Sequence, residues 1–98
     1  MICSVSNALY EETLRRLLEA IGGRSYFSGS VSFDFGAMHC RLIASCFVHR
    51  RRIDAPEGRF DAVSDLVPVW WEFHTASADD PAAEQLNDFS FGELRALL

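Results

Sequence analysis

Between Tyr26 and Val48 the chain alternates apolar and polar positions in two runs of opposite parity. Phe27, Gly29, Val31, Phe33 and Phe35 share one parity, and Tyr26, Ser28, Ser30, Ser32 and Asp34 the other. A period of two marks a strand with one buried face. Past Phe35-Gly36-Ala37-Met38 the parity inverts: Cys40, Leu42, Ala44, Cys46 and Val48 become the apolar set, interleaved with His39, Arg41, Ser45 and His49. A two-residue type II′ turn at Gly36-Ala37, with Gly supplying the positive φ, produces that inversion. It sets Phe33 opposite Cys40, Val31 opposite Leu42, Gly29 opposite Ala44 and Phe27 opposite Cys46. On the other face it sets Asp34 opposite His39, Ser32 opposite Arg41 and Tyr26 opposite Phe47.

The remaining elements follow from other periods. Leu14, Leu17, Leu18 and Ile21, with Tyr10 one turn earlier, recur at helical spacing and predict an amphipathic helix over 7–21, capped by Ser6 or Ser4 and stopped by Gly22-Gly23. Glu11–Arg15 and Glu12–Arg16 are spaced for ion pairs on its outer face. Gly29 opposite Ala44 leaves a shallow spot for close approach of this helix. A third strand is expected over 66–76, with Val67, Val69, Trp71, Phe73 and Thr75 on one parity, Trp71 and Phe73 belonging with the core parity. Pro68 cannot donate a ladder hydrogen bond, which places this strand at a sheet edge. The second strand spans 39–53, and the polar stretch 54–61 is either an extended hairpin tip or a mobile loop. Asp79-Asp80-Pro81 reads as a cap and a proline-led start for a short helix over 81–87. Ser90-Phe91-Gly92-Glu93 has capping-box spacing ahead of a last helix over 91–97, with Phe89 placed to staple against Leu94. The pattern defines one α+β domain over 1–98: an N-terminal helix packed on a three-stranded antiparallel meander of order 1-2-3, followed by one or two short C-terminal helices.

Composition narrows the class. Of the 98 residues 49% are hydrophobic and 23% charged, a globular balance far from that of a disordered chain. The apolar runs are too short to span a bilayer, and Met1-Ile2-Cys3-Ser4-Val5-Ser6 lacks the basic start and apolar core of a secretory signal. The expectation is an intracellular, cytoplasmic protein. Its three cysteines fit a reducing compartment, because Cys40 and Cys46 on one face of one strand stand about 20 Å apart at strand rise and cannot pair. The net charge of −5 argues against a general polyanion binder.

The α-β-β-β-α order is similar to that of double-stranded RNA-binding domains, which use a Lys-rich start to the second helix and a basic loop between the first two strands. Here those regions are Asp79-Asp80-Pro81-Ala82-Ala83-Glu84 and Phe35-Gly36-Ala37-Met38. An acidic segment in that place repels a phosphate backbone, so the likeness is confined to the order of elements.

Three groups of residues carry candidate chemistry. Tyr26, Phe47 and Trp70 fall on the outward face of the sheet as an aromatic row. Such a row serves either as a stacking platform for a base or sugar ring or as an apolar patch covered by Phe89, Phe91, Leu94 and Leu97 or by another subunit. His49-Arg50-Arg51-Arg52, with Arg41, is the basic set that a nucleic-acid contact would use, although neighbours on a strand point to opposite faces. Asp34, His39, Glu72 and His74 are metal-ligand types without a familiar close spacing. Cys40 and His39 face opposite sides of their strand, which separates them as a nucleophile and base.

The feature with the clearest physical consequence is the outer edge of the first strand. Ser28, Ser30 and Ser32 line it, with no Lys, Pro or bulge to block an added strand, and monomers ordinarily protect such an edge. The function expected from the sequence is a non-catalytic protein-interaction module without cofactor, self-associating as a dimer through this edge or through the outer face at Tyr26, Ser28, Ser30, Phe47 and Trp70. The alternative is a nucleic-acid-binding accessory protein using Arg41, His49, Arg50, Arg51 and Arg52, and a metal-dependent hydrolase around Asp34, His39, Glu72 and His74 comes third.

Overall fold

The computed structural model describes residues 5–80 and 82–98. Ser4 as a cap, Cys3, and Pro81 as a helix start lie outside the described residues. Helix α1 spans Asn7–Ile21. Strands β1 (Tyr26–Phe35), β2 (Met38–Ala55), β3 (Gly58–Ser77) and the two-residue β4 (Gln85–Leu86) follow, and helix α2 is Phe91–Arg95. The sheet is an antiparallel meander in the order β1-β2-β3-β4.

Ser6 caps α1, its side chain accepting from the Leu9 N–H at 3.2 Å, and Gly22 closes the helix with φ 58°. Leu9, Tyr10, Thr13, Leu14, Leu17 and Ile21 are the buried stripe, with Leu18 packed at its margin. On the solvent side Glu12 is the hub, bridging Arg15 at 2.5 Å and Arg16 at 2.8 Å, while Arg15 also reaches Glu19 at 2.7 Å. The expected Glu11–Arg15 pair gives way to this network because the Arg15 guanidinium has two closer carboxylates.

The β1–β2 register is the one expected, from Tyr26 opposite Phe47 to Phe35 opposite Met38. Gly36 has φ 61°, and no non-Gly residue among those described has positive φ, which fits a type II′ turn. Gly29 is not the close approach anticipated for the helix: the Phe27 ring leans over it, 3.4 Å from where a Cβ would stand.

The second hairpin realises one of the two readings of 54–61 and departs from expectation in the length and register of β3. β2 and β3 run on into a long ladder closed at Pro56-Glu57, so the polar stretch 54–61 is a hairpin tip and β3 is 20 residues long. The ladder extends beyond β1 as a two-stranded arm, and the molecule measures 47 × 26 × 19 Å. Next, the register shifts between Ser45 and Cys46, where Trp70 pairs with Ser45 and Pro68 with Cys46. Val69 is the extra residue of this bulge and is 60% exposed. The bulge inverts the parity of β3, so Val67 and Val69 are not core residues. Leu66, fully buried opposite Val48, takes that role, and Phe73 opposite Leu42 keeps its own. Finally, Pro68 is accommodated at the bulge and on a stretch of β3 that β4 does not reach, since β4 pairs only with His74 and Thr75. A second shift lies between His49 and Arg50.

No helix forms over 82–87. Asn87 instead ties the segment to β3: its N–H donates to the Phe73 carbonyl at 2.8 Å and its buried side chain donates to the Thr75 hydroxyl. The last helix ends at Arg95 rather than residue 97. Ser90 caps α2, accepting from the Glu93 N–H at 3.3 Å.

The core lies between the sheet's inner face and the two helices. Phe27, Val31, Phe33, Cys40, Leu42, Ala44, Cys46 and Phe73 meet Leu14, Leu17 and Ile21 of α1 and Phe91 and Leu94 of α2. Phe89 stacks on Phe73 with ring centroids 4.7 Å apart, and Phe91 packs against Trp71 at 5.6 Å. The C-terminal aromatics are therefore on the inner side of the sheet, and of the alternatives for the outer face the one in which they cover it is overturned.

Candidate interaction surface

Among the described residues two features of the sheet are left uncovered once the helices occupy its inner face. One is the outer face. Tyr26 and Phe47 meet across the β1–β2 pair with centroids 4.9 Å apart, yet remain 43% and 51% exposed. Trp70, 48% exposed, stands opposite Ser45, and past the Val69 bulge Phe47 stands opposite Val67. The aromatic row is thus two rings wide, with Trp70 in the cross-strand row of the Ser28–Ser45 hydroxyl pair, whose oxygens are 2.9 Å apart. Ile43, opposite Ser30 and Glu72, and Val67 complete the apolar part of this face. Ile43 was legible from the parity of β2, whereas Val67 was hidden by the bulge.

The other feature is the free edge of β1. Tyr26–Phe35 pairs with β2 on one side only, and among the described residues no other segment hydrogen-bonds to its far side. Ser28, Ser30 and Ser32 are exposed along it while Phe27, Val31 and Phe33 are buried beneath.

The charged candidates are dispersed. Glu84 grips the Arg41 guanidinium with two hydrogen bonds of 2.7 and 3.0 Å. Arg41 in turn holds the Glu84 carboxyl below the usual carboxylate range. Arg50 donates to the carbonyl of Gly22, the residue that caps the C-terminal end of α1, at 2.7 Å. His49 stands opposite Asp65 and Arg52 opposite Asp61, with Arg51 exposed opposite Ala62. The five residues Arg41, His49, Arg50, Arg51 and Arg52 do not form one basic surface. Neither Glu84 nor Gly22 was recognisable in sequence as the partner of these arginines.

The metal-ligand types separate into two local pairs. His39 Nδ1 lies 2.9 Å from the Asp34 carboxylate, and His74 Nε2 lies 3.0 Å from that of Glu72. Among the described residues no three His, Cys, Asp or Glu side chains gather as a metal site would require. Burial, helped by the Asp34 charge, pushes the Cys40 thiol up to about 11, and burial raises Cys46 as well. A thiol so shifted is protonated at neutral pH and is a poor nucleophile. A shallow pocket of about 400 Å³ between the β1–β2 turn and the 80–85 segment is lined by Ala37, Met38, Thr75, Ala76, Ser77, Asp80, Ala83 and Gln85. Asp80 is the one ionisable group among the described residues that line it.

Among the described residues no helix is long and apolar enough to cross a membrane. Compared with protein-family models, curated proteins and solved structures, the chain matches none.

Proposed function

We propose that this small α+β domain is a non-catalytic protein-interaction module that associates with a second copy of itself through the β1 side of its sheet, in the reducing environment of the cytoplasm. The observation that carries this reading is the ten-residue edge of β1, unpaired among the described residues and contiguous with the exposed Tyr26 and Phe47 rings of the outer face. Unpaired strand edges without Lys or Pro invite strand addition, and an apolar outer face adjoining one extends the area a partner buries. The buried, unbridged Cys40 and Cys46 support a reducing compartment. The tied-down arginines count against the nucleic-acid reading, because the Arg41 and Arg50 guanidiniums are already engaged within the domain. Sedimentation equilibrium at tens of micromolar tests the proposal: a dimer is expected, and a monomer at that concentration rejects self-association.

A further inference from the structure

The free edge of β1 has a near-palindromic sequence. Counting outward from Ser30, Ser28 is matched by Ser32, Phe27 by Phe33, and the small Gly29 by the branched Val31. A two-fold axis brings residue i of one subunit to residue j of the other and j to i. In an antiparallel strand pair centred on Ser30, that symmetry gives Ser30 against Ser30 and Ser28 against Ser32 on the outer face, and Phe27 against Phe33 and Gly29 against Val31 on the inner face.

The backbone has the polarity such a pairing needs. The Ser25 carbonyl accepts from the Val48 N–H at 2.8 Å, and the two-residue turn closes on the Phe35–Met38 pair. Odd positions of β1 therefore direct their N–H and C=O groups toward β2, and the alternation of antiparallel ladders sends those of Tyr26, Ser28, Ser30, Ser32 and Asp34 to the open side. Centring on Ser30 pairs all five of these residues with one another, and no other register does. Each directly bonded pair exchanges two hydrogen bonds, so the joint holds about ten. The Tyr26 phenol then lies beside Asp34 of the second copy, an exposed carboxylate with acceptor capacity to spare.

Resting on the self-association reading above, we propose that two copies join β1 to β1 about a two-fold axis at Ser30, making one continuous sheet with both α1 helices on the same face. The serine ladder explains the absence of bulky outward groups at 28, 30 and 32, and placing Gly29 beside Val31 avoids the clash that two branched side chains would cause at the joint.

The test uses the full chain. Ser30→Pro removes an N–H that points away from β2, so the intrachain ladder is untouched, and Pro is tolerated at such edge positions. Sedimentation is expected to show a monomer with unchanged far-UV circular dichroism. Ser30→Lys, which needs no change of φ, is expected to lose the dimer in the same way. Register is read by disulfide trapping in a Cys3→Ser background. Ser30→Cys is expected to cross-link to itself on mild oxidation, since directly bonded pairs have Cα atoms about 5.5 Å apart. Ser28→Cys and Ser32→Cys are expected to cross-link when mixed and not when oxidised separately. A wild-type dimer that survives Ser30→Lys, or that gives no Ser30→Cys cross-link, overturns the two-fold joint while leaving self-association standing; dissociation by Phe47→Ser would then place the contact on the outer face. A wild-type monomer overturns both.

Discussion

Tyr10 and Ser90, eighty positions apart, are joined by a hydrogen bond in which the Ser90 N–H donates to the Tyr10 phenol oxygen at 3.0 Å. The bond fastens the N-cap of α2 to the first turns of α1, and the Tyr10 ring packs 5.1 Å from that of Phe89. Tyr10→Phe keeps the ring packing and removes the acceptor. A loss of about 0.5–1.5 kcal/mol is expected from urea unfolding, with faster amide exchange confined to 89–95 if the bond holds α2 in place.

The turn at Gly36 sets the register on which the whole outer surface depends. Its φ of 61° is open to Gly and costly for other residues, yet a Cβ there would meet nothing within 4 Å. The cost of Gly36→Ala is therefore conformational and is expected to be about 1–2 kcal/mol. Gly23→Ala is the control: the space around it is equally open and its φ lies outside the positive region. Denaturation midpoints of the two variants should separate, with Gly36→Ala the less stable.

Stability should decline in acid, and the sign follows from carboxylates that arginines hold in the charged form. Hydrogen bonds from Arg15 and then Arg16 lower Glu12 from 4.5 to about 2. Arg95 similarly lowers Asp65, and Arg41 lowers Glu84. A depressed folded-state value means that the stabilising contribution is complete above the unfolded-state value and is lost as pH falls through the folded one. For Glu12 the window runs from 4.5 down to about 2. Urea midpoints measured across that range should fall with pH, and Glu12→Gln should flatten the slope. Because these pairs are at the surface, 0.5 M salt should flatten it too.

The β1–β2 hairpin was legible because strict alternation on both sides of a Gly-containing turn permits a single register that buries Phe27, Val31, Phe33, Cys40, Leu42 and Cys46 together. The β3 register was not, because alternation cannot reveal an inserted residue: Val69 has the composition of a strand residue, and only the opposing Ser45–Cys46 step shows that it is extra. The stretch 81–87 reads as a helix because Asp79-Asp80-Pro81 has the form of a cap followed by a proline-led start. A helix of that length is marginal in water, and contacts distant in sequence decide against it, with Arg41 drawing Glu84 and Phe73 and Thr75 capturing Asn87. The edge of β1 was legible as an open surface. The burial of Phe89 and Phe91 on the inner side was not, since their side of the sheet depends on Trp71 and Tyr10, with which they pack.

Two buried threonines separate a structural hydrogen bond from a redundant one. The Thr75 hydroxyl accepts from the Asn87 side-chain amide, and both residues are nearly inaccessible, at 7% and 8%. Thr75→Val keeps the shape and leaves that amide without this acceptor, which costs about 1–3 kcal/mol in a buried site. Thr13, fully buried on α1, donates its hydroxyl to the Leu9 carbonyl at 2.7 Å, but that carbonyl keeps its helical N–H donor from the same residue. Thr13→Val orphans nothing and should change stability by less than about 0.5 kcal/mol. Replacing Asn87 as well, in Thr75→Val/Asn87→Leu, removes the stranded donor and should recover part of the loss. Urea unfolding of the three variants checks the order, and equal effects of Thr75→Val and Thr13→Val would show that Asn87 does not anchor the chain to β3.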